Sequence, residues 1–154
     1  MWYNSVMKIK TAKYLQEKKL EAKRILKSIA KHWFKIHKVK KITYVKSLSG
    51  KAWCKEKRLR IPPPTTRKRM YIIAHELGHL ALHGHLKTKR SRRQFIKEYE
   101  AEQYAHTLMR RFNIKVPRAM TKRAKSYVQY RINLSIRRGL KKPIPKEITN
   151  WINV

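Results

Sequence analysis

His75-Glu76-Leu77-Gly78-His79 lies inside the apolar run Tyr71-Ile72-Ile73-Ala74 … Leu77 … Leu80-Ala81-Leu82. The surrounding periodicity is helical, and on a helix residues four apart share one face, so both imidazoles can point at one metal ion. Glu76 follows the first histidine by one residue. That places it beside the ion rather than opposite it, where a carboxylate can take a proton from a water the metal polarises. The pattern points to a zinc hydrolase, most often a peptidase. The plain alternative is a buried amphipathic helix whose histidines happen to fall four apart, and the rest of the chain must decide between them.

Two histidines leave a catalytic zinc site incomplete, because such sites use three protein ligands and one open position. All 8 acidic residues are Glu, and half of them are Glu76 and the group Glu98-Tyr99-Glu100-Ala101-Glu102. If Glu98 binds the metal, Glu102 lies one turn further on the same face. There it can accept from the outer nitrogen of a ligand histidine and fix its tautomer. Glu100 is expected to point about 160° away, and the plain alternative for all three glutamates is a solvated helix face paired with nearby Lys and Arg. His85 is the second candidate ligand, at the metzincin spacing. That motif needs glycine three residues after the second histidine, where this chain has Leu82. His83 shares the histidine face, but three turns of one straight helix cannot converge on a tetrahedral ion, so a capping or surface role is expected. His32, His37 and His106 carry no motif context.

Around the motif, Ala22, Ile25, Leu26, Ile29, Trp33 and Ile36 recur at helical steps and predict a helix from about Thr11 to His37. Strands are expected at Lys41–Lys46, Ala52–Cys54 and Arg58–Ile61, with turns at Ser47–Gly50 and Lys55–Lys57, forming a small antiparallel sheet. Pro62-Pro63-Pro64 ends the sheet, Thr65 or Thr66 caps the motif helix from about Arg67 to His83, and Gly84 terminates it. Further helices are expected from Gln94 to Phe112 and from Pro117 to about Arg138, before a tail with a short apolar piece around Ile148, Trp151 and Ile152. The fold class is therefore α+β: a small antiparallel sheet packed on a helical bundle that carries the zinc-binding helix. At 154 residues it forms one domain, with a basic helical portion from about residue 115.

Residues 67–83 resemble the active-site helix of ImmA/IrrE-type metallopeptidases, and Glu98-Tyr99-Glu100-Ala101-Glu102-Gln103-Tyr104-Ala105 resembles that family's second motif, E-x-x-A-[ND]-x-F-A. The resemblance spans about residues 40 to 112. It implies a zincin-like, gluzincin-type site with one Zn2+ per chain held by His75, His79 and Glu98, and Glu76 as general base. Glu102 stands where the family has Asn or Asp, Tyr104 where it has Phe, and Arg110-Arg111 where it has an apolar-Pro ending. The implied reaction is peptide-bond hydrolysis by an endopeptidase, with an edge strand lining the substrate cleft. Arg58 to Pro62 is the strand expected there, and Tyr99, Tyr104 and His106 are the residues available to stabilise an oxyanion.

The 41 Lys+Arg against 8 acidic residues give a formal charge of +33, which favours polyanionic partners, above all nucleic acid. Lys87, Lys89, Arg90, Arg92, Arg93, Arg110 and Arg111 are the expected phosphate contacts, with protein or peptide as substrate. A basic nucleic-acid-binding protein with a structural or vestigial zinc site is the rival reading, and a SprT-type protease with a third histidine ligand is another. Cys54 is the sole cysteine, which excludes an internal disulfide and a cysteine-rich zinc knuckle. The first residues lack the apolar core of a signal peptide and no stretch approaches ~20 apolar residues, so an intracellular protein without membrane spans is expected.

Overall fold

The computed structural model describes residues 2–84 and 93–154, with side chains from residue 11 onward. The element order is α1 (Trp2–Ile36), β1 (Lys41–Tyr44), β2 (Lys51–Trp53), β3 (Arg58–Ile61), α2 (Arg67–His83), α3 (Gln94–Arg111), α4 (Arg118–Arg137) and α5 (Lys146–Asn153). The class is α+β, with a three-stranded sheet beside the helices.

The sheet corrects the expected antiparallel arrangement. Its order is β1-β3-β2, with β2 antiparallel to β3 but β1 parallel to it, Ile42 opposite Leu59 and Ala52 also opposite Leu59. The hairpin between β2 and β3 is local, closed by residues 54–57 with Lys57 at φ 51°. β1 pairs on the far side of β3, so residues 45–50 must cross the end of the sheet to begin β2. A second correction follows: β3 is the central strand, the edges are β1 and β2, and β2 is the edge that lines the cleft.

Among the described side chains of α1, those from Leu26 onward include all the buried and half-buried ones. Ala30 and Trp33 are fully buried against the sheet and α2, whereas residues 11–25 are all exposed. The helix also begins well before the predicted Thr11.

Thr66 caps α2 from an extended backbone (φ −143°), its Oγ1 accepting from Arg69 N at 3.3 Å. Met70, Ile73, Ala74, Leu77 and Leu80 bury its apolar face with α1, β3 and α3. Each large aliphatic side chain there contributes about 1.5–3 kcal/mol by leaving water. A second cluster, Phe95, Val128, Ile132 and Ile148, ties the start of α3 to α4 and α5. Between the clusters lies a cleft of about 980 Å³, walled by β2, α2, α3 and α4. Among the described residues no helix is long and apolar enough to cross a membrane.

Candidate metal centre

Gly78, inside the motif, lets α3 approach α2. A Cβ there would stand 3.0 Å from Ala101 Cα and 3.0 Å from Ala101 O. With the helices this close, the Glu98 carboxylate meets both motif histidines. Nε2 of His75 and Nε2 of His79 are 3.1 Å apart, and Oε2 of Glu98 is 3.3 Å from the first and 3.5 Å from the second. Two donors each ~2.0–2.1 Å from a tetrahedral zinc lie roughly 3.3–3.4 Å apart. The triangle therefore has the size of three corners of a zinc tetrahedron. Among the described residues this is the one set of three potential ligands that converges on a point.

Two of the three candidate ligands, Glu98 and His75, have polar neighbours against them. Gln94 Nε2 donates to Glu98 Oε1, leaving Oε2 for the triangle. Glu102 Oε1 lies 2.7 Å from His75 Nδ1, and its Oε2 accepts a short hydrogen bond from the Tyr71 hydroxyl. The His75–Glu102 contact has ion-pair distance without the alignment of a hydrogen bond. Glu76 is 7% exposed, lines the same cleft, and abuts Gly50, where a Cβ would come within 2.5 Å of its Oε1.

Electrostatics follow from burial and this crowding of charge. Burial opposes the charged form of His75, but its contacts with Glu102 and Glu98 prevail and hold its pKa up to about 10. Burial would raise Glu98, yet His75 and His79 outweigh it and keep that carboxyl well below the usual range. Glu76 is raised by burial, with the histidines pulling it back and the other carboxylates adding to the rise.

The sequence-predicted residues divide as follows. His75, Glu76, His79, Glu98 and Glu102 come together at the cleft. His83, for which a capping or surface role is expected, is buried, and Glu100, which stays out of the triangle, lies 2.9 Å from His83 Nε2. Helical spacing alone did not show this, because it ignores how far a side chain reaches around a packed neighbour. His85, Lys87, Lys89, Arg90 and Arg92 lie outside the described residues. Arg93 Nη1 donates to the carbonyls of Lys142 (3.4 Å) and Pro143 (3.1 Å), so it clasps the C-terminal segment. Arg110 and Arg111 are exposed at the end of α3 and do not line the cleft.

None of the three expected oxyanion candidates lines the cleft. Tyr99 packs on Trp151, Tyr104 bonds His37, and His106 sits behind Tyr71. Tyr127 of α4 does line it, together with Lys97, Arg123 and Trp53. The sequence marks Tyr127 only as an aromatic among basic residues, because its place at the cleft depends on how α4, through Met120 and Val128, packs into both apolar clusters. Compared with protein-family models, curated proteins and solved structures, the chain matches none.

Proposed function

We propose that this protein is a zinc-dependent metalloendopeptidase of gluzincin type, in keeping with the resemblance of its two motifs to ImmA/IrrE-type enzymes. The observation that carries the reading is the ligand triangle of His75, His79 and Glu98, sized for zinc, with the Glu76 carboxylate in the same cleft. The donor set of two imidazoles and one carboxylate suits zinc, and it leaves a fourth position for water or substrate. When bound, the ion supplies Lewis acidity, polarising a carbonyl and acidifying water. The chain's own residues supply the remainder. Glu76 takes the proton from the attacking water and delivers it to the leaving amine. The free edge of β2 offers backbone groups to an extended peptide, and Tyr127, which lines the cleft, supplies the hydroxyl we assign to a developing oxyanion.

Purified protein should take up about one zinc per chain, and Glu76→Gln should keep it while abolishing cleavage of an unfolded protein substrate. Absence of zinc binding at micromolar metal would sink the proposal.

The charge supports a second, compatible reading, that the peptidase works beside a polyanion. Lys13, Lys18, Lys19, Lys23 and Arg24 all lie on the exposed stretch of α1. Binding of this kind is to phosphate, indifferent to base sequence, and weakens steeply with salt.

A further inference from the structure

Beyond the three ligands, α2 and α3 hold a second line of side chains directly behind His79. Its outer nitrogen, Nδ1, lies 3.0 Å from Nδ1 of His83, and Nε2 of His83 lies 2.9 Å from Oε2 of Glu100. His83 is 7% exposed, whereas Glu100 at the far end is partly open to solvent. Resting on the metal-site reading above, we propose that His83 and Glu100 are positioning residues for the metal, acting through His79 as a carboxylate–histidine–histidine relay.

The chemistry of the three groups admits one proton arrangement when Nε2 of His79 faces an ion. That nitrogen must offer its lone pair, so the His79 proton resides on Nδ1. Nδ1–H then donates to Nδ1 of His83, which must be unprotonated there. His83 carries its proton on Nε2 and donates it to Glu100, an acceptor only. Each group's role is set by the next, and the carboxylate at the end fixes the whole sequence. A ligand histidine held this way keeps its ring plane and tautomer and becomes a better donor.

The relay also accounts for a carboxylate that the ligand triangle does not use. Glu98 faces the ion site, Glu102 backs His75, and Glu100 backs His79 through His83. Both motif histidines thus end on a carboxylate of α3, one directly and one through an intermediate ring. His83 is not itself a ligand, because both of its ring nitrogens are engaged away from the triangle.

The test is zinc affinity of the full chain, measured by competition with a chromophoric chelator, together with the visible spectrum of the cobalt-loaded protein. His83→Leu keeps the volume but leaves Nδ1–H of His79 without an acceptor, and should weaken zinc about 10–100-fold. His83→Gln can accept with its oxygen and donate with its amide, and should restore affinity to within about threefold of wild type with an unchanged cobalt spectrum. Glu100→Ala, at a partly exposed position, should weaken zinc in the same direction, and its result stands even if His83→Leu does not fold. A packing role alone predicts a lower melting temperature for the metal-free variants and no rescue specific to Gln. Wild-type affinity in both His83→Leu and Glu100→Ala overturns the relay. If wild type itself binds no zinc, it is the metal reading that fails.

Discussion

Gly78→Ala puts the relation between helix packing and the metal site to a quantitative test. The added methyl would sit 3.0 Å from Ala101 Cα and O and 3.2 Å from Tyr104 Cβ. Comfortable carbon contacts are about 3.5–4.0 Å, so α3 must retreat from α2 by about half an ångström. The obstructing atoms at Ala101 are backbone, which no rotamer change can move. Overpacking of this kind costs about 1–3 kcal/mol. For a chain of this length that corresponds to a melting temperature lower by about 2–12 °C. The 3.1 Å separation of the two histidine nitrogens belongs to α2 alone and should survive. The Glu98 edges, 3.3 and 3.5 Å, span both helices and would open towards about 4 Å, well beyond the tetrahedral spacing. Zinc affinity should fall about 10–100-fold, a loss of the size seen when supporting groups around a metal are removed. Thermal melts of metal-free protein and chelator competition read the two effects separately. In a Glu98→Ala background the same substitution should cost little further affinity, since the edges it strains are already gone. Unchanged melting and unchanged affinity would show that α3 does not rest on Gly78. A lower melting temperature with full affinity would show that helix spacing does not set the site.

Gly50→Ala places a methyl 2.5 Å from Glu76 Oε1, so it should displace the carboxylate while sparing the ligands; cleavage should drop at least about 100-fold with zinc content intact, on the scale of a lost general base. Tyr127→Phe should reduce kcat more than it raises KM, by about 100–1000-fold, if its hydroxyl meets the oxyanion, and equal kcat would refute that role. His37 donates from Nδ1 to Trp33 O at 2.6 Å and accepts from the Tyr104 hydroxyl at 2.5 Å, and burial lowers its pKa below 6.5. A lowered folded-state pKa means stability is complete above pH 6.5 and is lost as the pH falls through the folded value. Chemical denaturation between pH 7.5 and 5 should therefore show a declining midpoint, less steep in His37→Gln, and parallel slopes would remove His37 from the account. Replacing Lys13, Lys18, Lys19 and Lys23 together by Gln should weaken duplex DNA binding and make its salt dependence shallower, read by fluorescence anisotropy at several salt concentrations; an unchanged slope would take α1 out of the interface.

Much of this molecule is written locally. The bounds of α2 follow from Thr66, the proline run before it and the apolar period within it, all of which act over one or two turns. The shared face of His75 and His79, and of Glu98 and Glu102, follows from helical spacing alone. The net charge is a matter of counting.

Pairings across the chain were beyond such reasoning. Whether β1 joins β3 in parallel depends on how residues 45–50 cross the sheet, and period-two patterning is the same for either direction. The contact of Gly50 with Glu76, the arrival of Tyr127 at the cleft, and the reach of Glu100 to His83 join residues remote in sequence. Composition and spacing thus establish which chemistry the helix can offer. Only the tertiary structure decides that Glu98 does meet both histidines, that Glu100 reaches His83 and which strand borders the cleft, because those outcomes depend on packing between elements that no local pattern encodes.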